Sequence, residues 1–362
     1  MPKEFSDLLL HQAHPYPCKF PGALVKKYLP TNIVGGVVLD PYCGSGTTLL
    51  EAARLGYSTI GSDCNPIAIL ITKCKLTNLD HKDIKAIEVI IDSSKEIESK
   101  CARLKNTLPN FEGRDHWFTL QTQREISWIL TQIASYPENS SIGIITKTAL
   151  SAIINKISNQ DSETRYARID KDHKPGFCLT TFHKKLQKLI ESIIDRGQLK
   201  NRFNHLHLVD IKQKLPISDN TVDLIITSPP YANTMDYYLY HKQRMNILGY
   251  KFRNVLDAEI GSRHEFSSKK ASVDKWDEDY FLGISEMART LKKGASAFVV
   301  IGDSQIAGKL ISGAITTEKA AKRAGLNSLL LESVPMTGKS RSFSASFQRP
   351  NKFEHVMKLT KL

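Results

Sequence analysis

The sequence predicts an α/β fold, in which a mostly parallel seven-stranded sheet carries an antiparallel C-terminal hairpin and a largely helical insertion. Two observations predict this class. Short apolar runs of strand length alternate with segments of helical periodicity before residue 77 and after residue 204, and such alternation is typical of a parallel sheet with helices on both faces. Residues 81–204 interrupt the alternation, because apolar positions there recur at helical spacing.

Seven runs have the length and apolar character of strands. They are 36–40, 57–63, 205–210, 223–227, 297–301, 328–334 and 353–361. A turn at 292–294 is predicted to lead into the fifth strand, and the last two strands are predicted to pair antiparallel.

Helices are predicted where apolar residues recur every three or four positions. Residues 47–55 form one helix that Gly56 ends, and Asn65 with Pro66 begins another, since a capping residue followed by proline favours a helix start. Three later helical faces consist of Ile126, Ile129, Leu130 and Ile133; of Phe182, Leu186, Leu189, Ile190 and Ile193; and of Phe281, Ile284, Ala288 and Leu291.

Three segments follow from this pattern. Residues 1–80 are predicted to form a ligand-binding half, 81–204 the helical insertion, and 205–362 the second half of the sheet. The net charge is +13 with a pI near 9.3, and residues 1–80 contribute almost none of the excess, with 7 basic and 6 acidic side chains. A basic balance of this size favours a polyanionic partner.

The remaining composition excludes several protein classes. No apolar run approaches the roughly 20 residues that a membrane helix needs, and the N-terminus lacks the layout of a signal peptide. The six cysteines contain no C-x-x-C pair, so neither a metal site nor a disulfide framework is indicated. A reduced, cytoplasmic enzyme with no membrane partner is expected.

The sequence DPYCGSGTT (residues 40–48) follows a predicted strand and opens a predicted helix, which is the place of a ligand loop. A phosphate-binding P-loop would require a lysine after its last glycine, and a dinucleotide fingerprint would require glycine where Leu49 stands. What remains is a turn of Gly44 and Gly46 with an acid, Asp40, at the strand end.

Two more acids end the neighbouring strands. Asp63 closes the second strand, where an acid suits the hydroxyls of a ribose, and Asp210 closes the third, where it can reach an adenine amine. No cationic group is available to neutralise a pyrophosphate, so these residues favour an adenosine-type cofactor without phosphates. Strand-end acids that merely cap helices are the alternative.

A rigid corner follows the fourth strand. In TSPPY (227–231) two prolines fix the backbone and donate no hydrogen bond, so the strand stops and Ser228 to Tyr231 project past its carboxyl end.

These motifs resemble a known family. DPYCGSGTT is similar to motif I, and TSPPY to catalytic motif IV, of the S-adenosylmethionine-dependent DNA amino-methyltransferases. HPYPCKFPGALVKKYL (14–29) resembles their motif X, which helps to enclose the cofactor. The resemblance covers residues 14–76 and 205–361 and implies a Rossmann-like sheet that binds S-adenosyl-L-methionine. The residues expected to contact it are Phe20, Asp40, Tyr42, Gly44, Ser45, Gly46, Thr47, Asp63 and Asp210.

The resemblance also implies the chemistry of the corner. An exocyclic base amine is a poor nucleophile, and the Ser228 hydroxyl and the Pro229 carbonyl can accept its N–H bonds so that its lone pair turns toward the methyl donor. Pro230 keeps the carbonyl rigid, which is preorganisation, and Tyr231 would stack on a base rotated out of double-stranded DNA. Serine at the first position is most often found with cytosine N4 as the target, and Asp or Asn with adenine N6.

Several functions stay open from the sequence. The leading one is cytosine-N4 methylation in restriction–modification, with a cognate restriction endonuclease as a candidate partner, and adenine N6 is the near alternative. An RNA amino-methyltransferase and a non-catalytic nucleic-acid-binding protein are more distant. C5-cytosine chemistry is set aside, because it needs a Pro-Cys nucleophile and the one such pair, at Cys18, lies in motif X.

The insertion contains the densest basic and aromatic stretch of the chain. Residues 165–188 hold seven Lys or Arg against two Asp, with aromatic and histidine side chains between them, a composition suited to phosphate contacts and base stacking. The predicted DNA contacts are Arg165, Arg168, Lys171 and Lys174, with Lys339 and Arg341 in a second basic stretch. The competing interpretation is a dimerisation lobe with a solvated basic face.

Overall fold

The computed structural model describes residues 9–19, 21–30, 35–163, 165–200, 203–267, 271–306, 308–336 and 352–362 of the chain. The chain folds into two compact units. One, the sheet unit, consists of residues 17–72, 200–238 and 253–362; the other, the helical unit, consists of 1–16, 73–199 and 239–252.

Nine strands lie in the described part of the chain. They are β1 (Val37–Asp40), β2 (Ser58–Asp63), β3 (Asn204–Leu208), β4 (Val222–Thr227), β5 (Leu291–Gly302), β6 (Ser304–Ile306), β7 (Lys309–Ile311), β8 (Leu326–Pro335) and β9 (Phe353–Lys361). Seven of them form one sheet in the order β3-β2-β1-β4-β5-β9-β8, and β6 pairs with β7 alone.

The sheet is parallel from β3 to β5 and antiparallel where β9 lies between β5 and β8. This confirms the predicted fold class, including the C-terminal hairpin. The strand order changes direction on either side of β1, and ligands bind at the carboxyl ends of parallel strands at such a switch point.

Two predicted boundaries are wrong. The fifth strand begins at Leu291, so residues 292–294 lie inside β5, where the register against β4 shifts between Val222 and Leu224 and Gly294 has a φ of +79°. The third strand ends at Leu208, so Asp210 lies two residues beyond it. Strand pairing across the sheet sets both boundaries, and the local sequence does not report it.

Thirteen α-helices lie in the described residues. They are α1 (Gly22–Tyr28), α2 (Thr47–Arg54), α3 (Pro66–Leu76), α4 (His81–Glu98), α5 (Arg114–Trp117), α6 (Leu120–Ala134), α7 (Ser141–Ile157), α8 (Phe177–Arg196), α9 (Tyr237–Ile247), α10 (Phe252–Ala258), α11 (Arg263–Ser267), α12 (Val273–Thr290) and α13 (Gly313–Arg323). The predicted starts at Thr47 and Pro66 are confirmed.

The sheet unit has two apolar clusters: a larger one on β1, β4, β5 and β9, covered by α12 and α13, and a smaller one that joins α1 and α2 to β1 and β4. Leu39, Ile225, Val299 and Leu359 are fully buried in the larger cluster. Burial of side chains of this size contributes about 1.5–3 kcal/mol each, which fixes the strands whose ends carry the predicted ligand loop.

The helical unit packs α4, α6 and α7 around α8. Buried polar residues connect these helices to one another. The carboxylate of Glu125 on α6, 1% exposed, accepts the backbone N–H groups of Gly176, Cys178 and Leu179 at the start of α8. An acid at this position satisfies donors that have no partner within the helix.

Residues 239–252 belong to the helical unit although they follow the corner in the chain. Their buried residue Arg244, 0% exposed, donates to the carbonyls of Ser151 and Tyr240 and to Glu163 Oε2 at 2.6 Å. The helical unit is therefore assembled from three separate stretches of sequence. The division into functional segments at 1–80, 81–204 and 205–362 stays a prediction.

Candidate active site

Four polar side chains lie in a row at the carboxyl edge of the sheet. Because the strand order there is β3, β2, β1, β4, the row runs Asp210, Asp63, Asp40, Ser228. Three interstrand spacings of about 4.8 Å separate the first strand from the last, a span of about 14 Å. An elongated ligand along this edge would meet all four.

Asp40 connects the ligand loop to the strand that carries the corner. It is 4% exposed, and its Oδ1 accepts the Thr227 hydroxyl at 2.7 Å and the Tyr42 N–H at 3.2 Å. Burial raises the pKa of Asp40 to about 7, against the opposing effect of these hydrogen bonds. Thr227 immediately precedes Ser228, so Asp40 couples the position of the loop to that of the corner.

The loop needs glycine at two places. Gly44 and Gly46 have φ values of +48° and +73°, and Gly46 is the residue before α2. A Cβ at Gly46 would lie 2.5 Å from Thr72 Oγ1. The same Thr72 hydroxyl donates to the carbonyl of Gly44 at 3.1 Å, so α3 supports the turn from behind.

Asp63 holds the other side of the loop. Its Oδ2 accepts the Gly44 N–H at 2.9 Å and its Oδ1 accepts the Asn65 N–H at 2.8 Å. Burial raises the pKa of Asp63 to about 6. Each carboxylate oxygen has further acceptor capacity, which is the chemistry that the two hydroxyls of a ribose require.

Asp210 is half-buried beyond β3. Its Oδ1 accepts the backbone N–H of Lys212 at 2.9 Å, and the Lys212 ammonium lies 3.5 Å from Oδ2. The residues present therefore fit an adenosine-type group, with Asp63 suited to the ribose and Asp210 to the adenine.

The other predicted cofactor contacts have mixed placements. Ser45 and Thr47 are buried at the start of α2, 5% and 4% exposed. Tyr42 points its hydroxyl toward α12, where a Cβ on Gly283 would lie 2.0 Å from it, and Phe20 lies outside the described residues. Their contacts with a cofactor stay predictions.

The corner leaves β4 as predicted from its prolines. Pro229 is buried, while Ser228, Pro230 and Tyr231 are half-buried. The Tyr231 hydroxyl donates to Glu354 Oε1 at 2.8 Å, and burial followed by the charge of Glu354 raises the pKa of this phenol well above its ordinary value. Ser228 and the Pro229 carbonyl thus lie at one end of the row of acids.

Two acids, buried Glu259 and half-buried Asp236, also hold the segment after the corner. Glu259, 8% exposed, accepts the backbone N–H of Tyr238 at the start of α9, and Asp236 accepts the N–H of His264. Burial raises the pKa of Glu259 well above its ordinary value. Among the residues described, its Oε2 has no hydrogen-bond partner.

Sequence reasoning missed Thr227, Thr72, Glu259 and Glu354. Thr227 stands inside the quoted motif, so its place at the strand end was a usable signal. The other three are distant in sequence from the residues they contact, and only the folded chain reveals them.

The predicted DNA contacts have different surroundings in the helical unit. Arg165 pairs with Asp161, and Arg168 pairs with Asp170. The Lys171 ammonium donates to the carbonyls of Asn155 and Gln160, and burial lowers its pKa.

Lys174 is exposed and forms no ion pair within the part of the chain that the structure describes. Lys339 and Arg341 lie outside that part. Among the predicted contacts that the structure describes, Lys174 is therefore the one whose charged group forms neither an ion pair nor a hydrogen bond to a carbonyl.

Comparison with known proteins identifies relatives. A family model for DNA methylases of the N6/N4 type matches residues 3–73 and 222–357, more than half of the chain. A type II methyltransferase of Geobacillus stearothermophilus, M.BsoBI, is 29% identical over 68% of this chain and 54% of its own length. A second, M.MjaII of Methanocaldococcus jannaschii, is 23% identical over 82% of this chain and 72% of its own. The chain thus spans about half the length of the first relative.

Solved structures give weaker likenesses. A TehB-like SAM-dependent methyltransferase from Corynebacterium glutamicum covers 94% of this chain and 86% of its own, with 11% identity and a TM-score of 0.34. An arsenic(III) S-adenosylmethionine methyltransferase from Chlamydomonas reinhardtii covers 97% and 69%, with 11% identity and a TM-score of 0.38. In the described residues, no helix has the length and apolar character needed to cross a membrane.

Proposed function

Since the chain belongs to the N6/N4 DNA methylase family, we propose that it transfers a methyl group to an exocyclic amine of double-stranded DNA, and that this amine is N4 of cytosine. S-adenosyl-L-methionine is the cofactor, and when bound it supplies an electrophilic methyl group on a sulfonium. The chain's own residues bind and orient the two reactants.

The single observation that carries the proposal is the hydrogen bond between Asp40 and Thr227, 2.7 Å long. It joins the cofactor loop to the catalytic corner, so the methyl donor and the amine acceptors are held by one rigid connection. Placement of this kind is what a methyl transfer requires, because the reacting atoms must be aligned.

Each residue at the corner has a separate task. Ser228 Oγ and the Pro229 carbonyl oxygen accept hydrogen bonds from the two N–H groups of the base, which turns the nitrogen lone pair toward the donor. The prolines keep that carbonyl fixed before the base arrives. The ring of Tyr231 stacks on the extruded base.

Serine at the first corner position favours cytosine N4 over adenine N6. M.BsoBI and M.MjaII are named type II methyltransferases, which supports action at a specific DNA sequence. A cytoplasmic location and a cognate endonuclease are part of the same proposal. Arg165, Arg168, Lys171, Lys174, Lys339 and Arg341 remain the proposed DNA contacts.

The test is the chemical identity of the product. Plasmid and genomic DNA are incubated with the purified protein and S-adenosylmethionine, digested to nucleosides and analysed by mass spectrometry. N4-methylcytosine is expected, and Ser228→Ala should abolish most of it while sparing cofactor binding measured by calorimetry. If N6-methyladenine is found instead, the target amine is N6 of adenine and the cytosine assignment is wrong. If no methylated nucleoside is found, the proposed methyl transfer is overturned.

A further inference from the structure

The ring of Tyr231 is fixed at two points. Its hydroxyl donates to Glu354 Oε1 at 2.8 Å. Its ring lies against Gly302 at the end of β5, where an added Cβ would come within 2.5 Å of Cε2 and 2.7 Å of Cδ2. Glycine at position 302 therefore leaves space for the ring of Tyr231. The hydrogen bond to the Glu354 carboxylate fixes the position of the ring against Gly302.

Glu354 is itself held in place by the sheet. It pairs with Gly302 on β5 and with Val334 on β8. Its two chain neighbours are both bound by Asp303: the Phe353 N–H donates to Oδ2 at 3.0 Å, and His355 Nε2 lies 2.9 Å from Oδ1.

Asp303 is a rigid support. It is 4% exposed, its Oδ1 also accepts the Gly313 N–H at 3.0 Å, and its own N–H donates to the Phe353 carbonyl at 2.8 Å. His355 is anchored on its other side, because Nδ1 lies 2.8 Å from Ser333 Oγ. The residues before and after Glu354 are therefore both fixed by hydrogen bonds, which restricts the position of its carboxylate.

This arrangement gives different roles to the hydroxyl and to the ring of Tyr231. Its hydroxyl interacts with both Glu354 and Ser228, so the face of the ring is the part that remains for a base. A ring held in one orientation loses little conformational entropy when it stacks, and the base is placed with little adjustment of the protein.

We propose that Glu354 is a positioning residue for the methyl transfer: it fixes the ring of Tyr231 for stacking on the target base, and Asp303 fixes Glu354. The inference rests on the proposed function of the corner. Among the described residues, the Glu354 side chain forms no hydrogen bond to the cofactor loop or to Ser228 and Pro229, so its effect reaches the reaction through Tyr231.

The experiment is a double-mutant cycle on the Tyr231–Glu354 bond. Tyr231→Phe removes the donor, Glu354→Ala removes the acceptor, and Glu354→Gln retains one. The matched control is Glu332→Ala, which removes the acceptor of another tyrosine, Tyr28, that donates to Glu332 at 2.7 Å in the same unit. Methyl transfer is followed with labelled S-adenosylmethionine on DNA that the wild-type protein modifies.

Loss of a hydrogen bond to a charged group predicts that Tyr231→Phe and Glu354→Ala each lower kcat/KM by about 10- to 100-fold. The double variant should be no worse than Tyr231→Phe alone, because that variant already lacks the bond that Glu354→Ala removes. Glu354→Gln and Glu332→Ala should stay within about 3-fold of wild type, and all variants should keep wild-type cofactor affinity.

A readout independent of turnover is the ionisation of the phenol. In protein labelled with ¹³Cζ-tyrosine, the Tyr231 signal is identified by its absence from Tyr231→Phe. It should titrate at a lower pH in Glu354→Gln than in wild type, because the neighbouring negative charge is gone.

Wild-type transfer by Glu354→Ala, multiplicative losses in the double variant, or an unchanged titration would each overturn the positioning role. If the wild-type protein methylates no nucleic acid at all, the proposed function has failed and the positioning role falls with it. The two failures are therefore distinguished by the wild-type activity.

Discussion

Two pairs of charged residues, one pair in each unit, have different kinds of partners. In the helical unit, buried Arg244 has an acid and two carbonyls as partners, and buried Glu125 has three N–H donors. In the sheet unit, Asp40 is buried and Asp63 is half-buried, and neither forms an ion pair among the described residues. Burial raises the pKa of both acids.

This difference distinguishes charged groups that stabilise the fold from charged groups that are available to bind a ligand. A buried group with a full set of partners stabilises its surroundings and is expensive to disturb. A buried acid without a cation is strained in its ionised form, and a cationic ligand relieves that strain. The sulfonium cofactor proposed for the sheet unit is such a ligand.

The largest expected effect is loss of the charge pair in the helical unit. Arg244→Met leaves Glu163 without its cation and removes the guanidinium's hydrogen bonds to the carbonyls of Ser151 and Tyr240. Glu163 is one-third exposed, so we expect about 3 kcal/mol off the free energy of unfolding, the low end for a broken buried pair. Urea denaturation measures it.

Arg165→Met is the matched control for that substitution. Its pair with Asp161 is 74% exposed on the arginine side, and surface pairs contribute about 0.5 kcal/mol. Equal losses in the two variants would show that the buried network is not what stabilises the unit.

The two units should respond to pH in opposite directions. Burial lowers the pKa of His14 and His241 well below 6.5, so the unfolded chain takes up protons first and the helical unit loses stability as pH falls below about 6.5. Two displaced protons correspond to about 2–3 kcal/mol per pH unit.

The acids of the sheet unit give the reverse sign. With folded pKa values of about 7 for Asp40 and about 6 for Asp63, the folded state holds protons that the unfolded state has released, so stability falls as pH rises from about 4 to 7. Peptide-resolved hydrogen exchange between pH 5 and 8 follows both units. A common direction in both would break the comparison.

Asp63→Ala should weaken binding of S-adenosylmethionine by about 1.5–3 kcal/mol, the range for hydrogen bonds to a charged group. The control is Asp223→Ala, which also removes an acceptor of a backbone N–H, that of Val37, but near the amino end of β4. Calorimetry at pH 8 should detect the loss only in Asp63→Ala. Unchanged affinity would remove Asp63 from the site.

The smallest effect concerns DNA. If the Lys174 ammonium contacts a phosphate, Lys174→Ala should lower affinity by roughly 1 kcal/mol or less and flatten the salt dependence by about 0.9. Lys171→Ala is the comparison, since that ammonium already donates to two carbonyls. If the salt dependence of DNA binding became flatter in Lys171→Ala but not in Lys174→Ala, Lys171 and not Lys174 would be the phosphate contact.

Much of the sheet unit was predictable because its signals are local. The glycines at 44 and 46 are demanded by the turn they occupy, and the prolines at 229 and 230 end a strand wherever they stand. The strand-end acids could be listed from the sequence, but their order along the sheet edge depends on the strand order.

The helical unit was less predictable. The spacing of its apolar residues predicts its helices. The inclusion of residues 239–252 depends instead on Arg244, whose hydrogen-bond partners lie 81 and 93 positions away in the chain. No short-range pattern encodes such a pair.

By itself, the sequence determined the α/β class, the glycine turn after β1 and the rigid corner, since each depends on backbone preferences of residues adjacent in the chain. The tertiary structure decided which distant groups support them: Thr72 behind the loop, Thr227 on Asp40, and Glu354 on Tyr231. The physical reason is that a hydrogen bond between buried side chains requires both partners within about 3 Å, and only the packing of the whole sheet brings residues from separate strands that close.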